Sequence, residues 1–303
     1  MRSSTVAALR AALLAALLAA GCAGGAPSPS GSGSPSPSPV ASPSPAQPAG
    51  LLLRASLSQA IPPLNRFSWV PVVAITGDRT VVTGAPVLAI FPGPLVPPLN
   101  GRTITEAGLA KIFAAAQDFG LLGGQTDFSG GAKPGQMLGT IELAVGDRVV
   151  EIVGNPEATI ACVAFPCEAP PATPEAFGAF WQMLQNLPAW IGEAELGRET
   201  AWEAQAYSVL IGPAADPQGL PQAPADWPLE MPLATAGGAA GDGVHRCLTI
   251  RGDDAARLTP ALQAANAITP WIQDPATSAT FGLTVRPLLP GEDACRELFG
   301  IGG

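Results

Sequence analysis

The segment from Ala23 to Gly50 sets the strongest limit on how this chain can fold. It consists almost entirely of Pro, Ser, Gly and Ala, includes eight prolines and carries no charged residue. Such a segment cannot bury enough apolar surface to offset its conformational entropy, so we expect it to stay disordered. In polyproline II its residues would reach at most about 87 Å. The segment is either a stiffened spacer or a linker whose length has no role, and the folded part begins near Leu51.

The residues before this linker have the three parts of a secretory signal. Arg2 and Arg10 supply positive charge, the run from Ala11 to Ala20 supplies an apolar centre, and a small residue, Gly21, follows. As a helix the run would rise about 15 Å, half of the roughly 30 Å of a bilayer core, so it is short for a membrane span. We therefore expect residues 1–21 to be a signal peptide.

The end of this signal resembles the lipobox of bacterial lipoproteins. Leu18–Gly21 leads directly into Cys22, although the family most often has Leu where this chain has Ala19. The resemblance implies that the leader is cut before Cys22 and that this cysteine carries fatty acyl chains such as palmitate. Residues 22–50 would then be a lipidated cysteine with its tether, and the protein would be extracytoplasmic and anchored to the cell membrane. The alternative is an ordinary secretory leader that is cut elsewhere.

Charge narrows the range of partners. The formal net charge is −9, and it would be −11 without Arg2 and Arg10. Lys111 and Lys133 are the only lysines in the sequence. Because the chain has no basic cluster, we expect no nucleic-acid partner and no polybasic contact with anionic lipid headgroups.

A single histidine, His245, limits the catalytic chemistry. It excludes a metal site built from several histidines, and a Ser/His/Asp mechanism would have to use it as the base. The alternative is a surface or turn histidine. The sequence contains no nucleophile elbow, phosphate-binding loop or zinc-protease motif. An irregular calcium site would draw on Asp127 or Asp242. We predict no metal and no other cofactor.

The cysteines predict a disulfide framework once Cys22 is assigned to lipid. Cys162, Cys167, Cys247 and Cys295 remain, an even set in an oxidising compartment. Four cysteines allow three pairings. We favour Cys162 with Cys167 and Cys247 with Cys295; metal binding is the alternative, although the spacings lack a zinc-ribbon pattern.

Strand and helix patterns follow Leu51 without regular alternation. Three helices are predicted from their caps and apolar spacing: one capped at Thr103 or Thr105, one at Thr173 and one at Asp253 or Asp254. The second should stop at Pro188, and Pro260 warns of a kink in the third or of a later start. The predicted strands are 51–57, 67–76, 80–82, 137–145, 148–153, 205–212, 246–252 and 280–290.

This irregular order predicts an α+β fold with mainly antiparallel sheets and three packed amphipathic helices. Two units of strand–helix–strand type fit the pattern, with residues 51–195 in the first and residues 196–303 in the second, smaller one. One continuous domain is the alternative.

The folded part resembles uncharacterised lipoproteins of the bacterial cell envelope. The matching stretches are PGPLVPPL before ITEAGLAKIFAAAQDFGLL, the hairpin ELAVGDRVVEIV, and VRPLLPGEDAC near the C-terminus. The resemblance implies an envelope location and lipoprotein status, and it implies no activity.

The leading hypothesis is a non-enzymatic, membrane-anchored protein that binds an envelope protein or a small ligand. We expect ligand contacts at the proline-rich loop Pro92–Pro98 and nearby loop aromatics. An envelope hydrolase using His245 or a calcium-dependent enzyme is the alternative, and a structural envelope spacer is a third class.

Overall fold

Two β-sheets with helices packed on them form the part of the chain that the structure describes, which confirms the predicted α+β class. The computed structural model describes residues 50–58, 62–130, 132–133, 135–158, 165–217, 219–273 and 279–301. All of these residues fall in one compact unit. The predicted signal peptide, Cys22 and the tether up to residue 49 lie outside the described residues.

The first sheet has eight strands. They are β1 (Leu51–Ser58), β2 (Val73–Thr76), β3 (Thr80–Gly84), β4 (Leu99–Thr103), β5 (Asp127–Phe128), β6 (Leu138–Val145), β7 (Arg148–Gly154) and β8 (Thr200–Trp202). Their spatial order is β5-β7-β6-β1-β2-β3-β4-β8. Only β5 and β7 pair in parallel, so the sheet is mainly antiparallel. This sheet extends past residue 195, the predicted end of the first unit.

The second sheet has six strands. They are β9 (Ala206–Pro213), β10 (Ala225–Asp226), β11 (Gly238–Ala239), β12 (Arg246–Arg251), β13 (Trp271–Ile272) and β14 (Phe281–Pro287). Their spatial order is β10-β13-β14-β9-β12-β11, and only β10 and β13 pair in parallel.

Six α-helices lie in the described residues. They are α1 (Pro63–Arg66), α2 (Glu106–Asp118), α3 (Pro174–Gln185), α4 (Leu187–Ile191), α5 (Gly252–Ala264) and α6 (Ala294–Phe299), with a 3-10 turn at Glu193–Glu195. The longest three lie where helices are predicted, and the sequence patterns do not predict the other three. Across the described ranges, no helix has both the length and the apolar character needed to span a membrane.

Helix α2 begins at the second of its two candidate caps. The Thr105 hydroxyl accepts a hydrogen bond from the Gly108 amide at 3.0 Å, whereas Thr103 belongs to β4. The helix ends before Gly120, which has a φ of +70° and would place a Cβ only 2.9 Å from the Ala172 amide nitrogen. A left-handed residue packed this closely against backbone must be glycine, as the sequence pattern indicates.

Helix α3 is a core helix rather than an amphipathic one, since eight of its twelve residues are buried. It lies close to the first sheet because glycines face it. A Cβ at Gly154 would lie 2.4 Å from the Phe177 ring, and one at Gly139 would lie 2.6 Å from the Trp181 ring. The missing side chains on β6 and β7 therefore make room for these two large aromatics.

The predicted end of the second helix and the predicted caps of the third need correction. Helix α3 stops at Gln185, and Pro188 lies in the first turn of α4, where proline is tolerated because the amide there lacks a helical partner. Helix α5 begins at Gly252 with Pro260 inside it, so its start is not delayed. Neither Asp253 nor Asp254 caps this helix: Arg251 is the cap residue, and both aspartates occupy the first turn, where carboxylates complement the helix dipole.

The predicted strand at 67–76 is also shorter than expected. Only Val73–Thr76 pairs as β2, whereas Phe67 follows α1 and is fully buried against α6, stacked on Phe299 at 6.1 Å. Pro63 begins this helix, and the residues up to Pro71 connect it to the strand without regular structure.

Strand β9 is covered on both faces, which places it at the centre of the fold. Tyr207, Val209 and Ile211 alternate into one core under α5, and Ala206 and Leu210 alternate into another that contains α6. The connection that follows β14 joins the two sheets. Its Leu288 packs in the α6 core, and its Leu289 packs on the first sheet. The two sheets thus share an apolar contact built from consecutive residues.

A disulfide joins Cys247 on β12 to Cys295 on α6, one of the two predicted bridges. It holds α6 against the second sheet. Cys167 is buried in the first core, and Cys162 lies outside the described residues, so the second predicted bridge stays a prediction.

Replacing both Cys247 and Cys295 by alanine should lower the free energy of unfolding by about 4 kcal/mol, because the bridge closes a loop of 48 residues in the unfolded chain. Urea unfolding monitored by tryptophan fluorescence measures this difference. The oxidised natural protein is the reference, and equal midpoints for it and the variant would contradict the expectation.

Candidate ligand-binding site

A single arginine in the first strand begins the site. Arg54 lies between Leu53 and Ala55, which are both buried in the core under α3, so its side chain extends from the opposite face of the sheet. In the strand register Arg54 is opposite Glu142, and Glu142 is opposite Glu151. Three adjacent strands therefore place one cation and two carboxylates in a row on this face.

The Arg54 guanidinium binds carboxylates from both halves of the chain. Its Nε and Nη2 atoms donate to the two oxygens of Glu142 at 2.6 and 2.8 Å, a bidentate pair. Its Nη1 atom donates to Glu292 at 2.9 Å and to Glu297 at 3.4 Å. Burial alone would lower the pKa of Arg54, but hydrogen bonds and the negative charges of Glu142 and Glu292 outweigh it and raise that pKa above its ordinary value.

Glu292 is the buried centre of this network, with 2 % of its surface exposed. One carboxylate oxygen accepts from Arg54 and from Arg286 of β14, the latter at 3.2 Å. The other oxygen accepts from the Leu289 amide at 2.9 Å. Because Arg54 belongs to the first sheet and Arg286 to the second, Glu292 joins the two sheets.

Local structure explains how Glu292 reaches this position. The chain turns at Gly291, whose φ of +84° suits glycine, and Asp293 then caps α6 by accepting from the Arg296 amide at 3.1 Å. The Thr249 hydroxyl donates to Asp293 at 2.8 Å, and Arg251 donates to the Glu292 carbonyl at 2.6 Å. The turn is therefore held by strand β12 as well as by its own cap.

A cavity of about 410 Å³ opens beside this network. Its walls combine both sheets with α1 and α6. The lining residues are Arg54, Ser56, Leu57, Arg66, Trp69, Val70, Thr140, Glu142, Glu151, Arg286, Glu297 and Leu298. A smaller cavity of about 220 Å³ shares Arg54, Glu142 and Glu297 with it. The larger volume is within the roughly 300–1,000 Å³ typical of sites for small molecules.

We call this larger space the arginine cavity. Two of the arginines that line it each have a hydrogen-bond donor without a partner. The Nε atoms of Arg66 and Arg286 are buried and have no hydrogen-bond partner. Arg286 as a residue is only 8 % exposed. A buried donor without a partner costs free energy, and buried polar groups are nearly always paired, so each of these guanidiniums keeps one donor that the described residues do not satisfy. A guanidinium presents the planar donor pattern that carboxylates and phosphates match.

The structure gives His245 a local partner. Its Nδ1 atom lies 2.5 Å from Asp242, which also accepts from the amides of Val244 and His245. These hydrogen bonds, that of the imidazole first, hold the pKa of Asp242 well below its usual range. No described serine hydroxyl is hydrogen-bonded to the imidazole, and His245 lines neither of the two cavities beside Arg54. The arrangement is that of a turn histidine.

The candidate calcium ligands are engaged separately. Asp127 accepts from the amide and the hydroxyl of Ser129 at 2.9 and 2.6 Å, which lowers its pKa, and Asp242 is held in the His245 turn. Within the described residues no three His, Cys, Asp or Glu side chains gather as metal ligands.

The proline-rich loop also borders a cavity. Pro94, Pro97 and Pro98 line a space of about 290 Å³ together with Trp202 and Tyr207. The Tyr207 hydroxyl is within 3.0 Å of the Thr259 hydroxyl, and burial raises the pKa of Tyr207. Both of these aromatics belong to strands, Trp202 to β8 and Tyr207 to β9, rather than to the loops where they are expected. Four large apolar side chains just before this loop, in the same connection between β3 and β4, are exposed: Val87, Leu88, Ile90 and Phe91.

The acidic residues between α4 and β8 have several partners. Glu193 pairs with Arg102 at 2.5 Å and Glu195 with Lys111 at 3.0 Å, while Glu199 accepts from Asn100 at 2.8 Å. These contacts join the 3-10 turn and the residues before β8 to β4 and to α2, so the structure assigns this series a role in packing.

Arg54, Glu142, Glu151 and Glu292 are not among the residues that the sequence patterns single out. A signal for the first three exists: each is a charge inside a mainly apolar strand, at LLLRASL, TIELAV and RVVEIV, of which only the last begins with a second charge, Arg148. With the period of two residues along a strand, such charges indicate a sheet face that is not buried in the core. Nothing local pairs them with Glu292, which lies 238 residues from Arg54.

Comparison with known proteins adds no relative. The chain matches no family model, and neither the curated proteins nor the solved structures include a significant match.

Replacing Glu292 by glutamine should lower the free energy of unfolding by about 3 to 5 kcal/mol, since it leaves the buried Arg286 cation without its carboxylate. Replacing Glu297 should cost under about 1 kcal/mol, because its side chain is one-third exposed and its contact with Arg54 is long. Urea unfolding of E292Q, with E297Q as the matched control, measures both. Similar losses in the two variants would refute the central role of Glu292.

Proposed function

We propose that this protein is a membrane-anchored, extracytoplasmic lipoprotein that binds a small charged ligand without chemically changing it. The observation that carries the ligand-binding part is the 410 Å³ cavity, whose wall includes the arginine side chains of Arg54, Arg66 and Arg286. The cysteine after the short apolar run supports the lipid anchor, and the Pro/Ser/Gly tract after it supports a tether.

The walls of the cavity suit a binding site because they are held in place before any ligand arrives. Arg54 is fixed by a bidentate pair with Glu142 and by Glu292, and Arg286 is fixed by the same Glu292. Side chains that are already ordered lose little entropy on binding, so more of the interaction energy contributes to affinity. The apolar lining from Leu57, Trp69, Val70 and Leu298 supplies surface for the uncharged part of a ligand.

The position of His245 outside the arginine cavity favours ligand binding over hydrolysis. His245, which a Ser/His/Asp mechanism would need, is paired with Asp242 in a turn outside the arginine cavity. The charged groups of the cavity are arginines and glutamates, which fix a ligand by charge and hydrogen bonds.

The anchor is tested by expressing the full chain and a Cys22→Ser variant in a bacterial host with lipoprotein processing. We expect the natural chain to begin at Cys22 and to carry the added mass of its acyl chains, and the variant to lose both that mass and its sedimentation with membranes. Intact-protein mass spectrometry of the mature N-terminus measures this. An unmodified terminus downstream of Cys22 would refute the lipoprotein assignment.

The site is tested by filling the cavity. Ser56 of β1 lines the cavity, so a phenylalanine there should exclude the ligand. Small molecules that mass spectrometry detects after the natural protein is denatured should therefore be missing from Ser56→Phe. Thr200→Phe, at an exposed position on β8, is the matched control and should retain them. Far-UV circular dichroism and the melting temperature establish that both variants fold, and Glu151→Trp is a second blocking variant. Equal retention by blocked and control proteins would contradict this site.

A further inference from the structure

On the basis of the proposed ligand-binding function, we infer that the ligand of the arginine cavity is a small zwitterion, an amino acid or short peptide that carries both an ammonium and a carboxylate group. The charges on the cavity wall point to this class. After the internal ion pairs are made, one described cation and one described anion on the wall remain without a partner.

Most of the charged side chains around the cavity form ion pairs within the protein. Arg54 and Arg286 are bound by three carboxylates, those of Glu142, Glu292 and Glu297. Among the described residues, Arg66 forms no ion pair, although it lines the cavity and its Nε atom is buried. Glu151 also lines the cavity, and no described cation pairs with it. The Arg66 guanidinium therefore offers a cation to a carboxylate, and Glu151 offers an acceptor to an ammonium group.

The strand register adds a reason for a cation at Glu151. Glu142 and Glu151 are directly opposite each other on β6 and β7, and like charges in this position destabilise a sheet. Arg54 compensates Glu142 from the β1 side and does not reach Glu151 in any described contact. An ammonium group placed beside Glu151 would relieve this repulsion and neutralise its unpaired charge.

A simple anion is a poorer match than a zwitterion. The charged residues that line the cavity balance, with Arg54, Arg66 and Arg286 against Glu142, Glu151 and Glu297. An anion alone would therefore add a net negative charge to a partly enclosed space, where charge interactions are stronger than in water. A ligand with an ammonium group removes that penalty. A purely cationic ligand would leave Arg66 without an anionic partner.

Isothermal titration calorimetry with the folded chain tests the ligand class. The zwitterionic probes are glycine, β-alanine, 4-aminobutyrate, 6-aminohexanoate and glycylglycine, which separate the two charges by different lengths. Butyrate and butylamine are the probes with one charge. We expect at least one zwitterion to bind about tenfold or more tightly than either single-charge probe, since each charged hydrogen bond contributes this much or more.

Matched variants test which residue binds the carboxylate end of the ligand and which binds its ammonium end. Arg66→Gln and Glu151→Gln should each weaken the best zwitterion by about tenfold or more, and Arg66→Lys should retain part of the affinity because it keeps the charge but loses the planar donor pair. Arg198→Gln and Glu168→Gln, at exposed positions outside both cavities beside Arg54, are the controls and should bind as the natural chain does. Circular dichroism establishes that each variant is folded.

The outcomes separate this inference from the function it builds on. Butyrate that binds as tightly as every zwitterion, with loss in Arg66→Gln alone, would overturn the zwitterion and leave a plain anion site. If no probe binds but the natural protein still releases a small molecule that Ser56→Phe lacks, the ligand class is wrong and the cavity remains the site. If no probe binds and the blocked and control proteins release the same molecules, both proposals fail.

Discussion

The buried carboxylate of Glu292 is the interaction on which the arrangement of the two sheets depends. A charge with so little exposure is tolerable only when several donors surround it, and its donors are Arg54 from the first sheet, Arg286 from the second and the Leu289 amide from the connection between them. If the sheets separated, Glu292 would lose Arg54. Apolar packing by Leu288 and Leu289 on either side of the same connection works in the same direction. Polar and apolar contacts thus specify one relative position of the sheets.

That position also creates the cavity. Its walls come from β1, β6, β7, α1, β14 and α6, so neither sheet alone encloses it. Arg54 contributes to the network and to the wall at once, because its guanidinium donates to carboxylates that themselves line the two cavities. The site therefore exists as a consequence of how the sheets are joined, and its rigidity has the same origin as the stability of the contact between them.

Local sequence signals predict much of the fold but little of this contact. The α2 cap, the turn at Gly146 and Asp147 between β6 and β7, and the start of α3 at Thr173 and Pro174 all follow from interactions within a few residues. Short strands such as β5, β10, β11 and β13 are not predicted because two residues carry no periodicity. The apolar content of residues 67–76 predicts a single strand, whereas Phe67 is apolar because it packs against α6.

The candidate site could be predicted only in part for the same reason. Proline spacing identifies the loop at Pro92–Pro98, and in the structure this loop does border a cavity with Trp202 and Tyr207. The arginine cavity, by contrast, needs Arg54 beside Glu142 and Glu292, residues 88 and 238 positions away. A lone charge in an apolar strand shows that a sheet face is not buried in the first core, and it does not show what covers that face.

The disulfide connects the proposed location of the protein to the site. Cys295 lies on α6 between the Glu292 turn and the cavity residues Glu297 and Leu298, and its bond to Cys247 fixes this helix on β12. A helix of six residues has little stability of its own, so its position depends on such external attachments. The bond persists in an oxidising compartment and not in a reducing one. The extracytoplasmic location proposed from the signal and Cys22 is therefore also the environment in which this wall of the cavity stays in place.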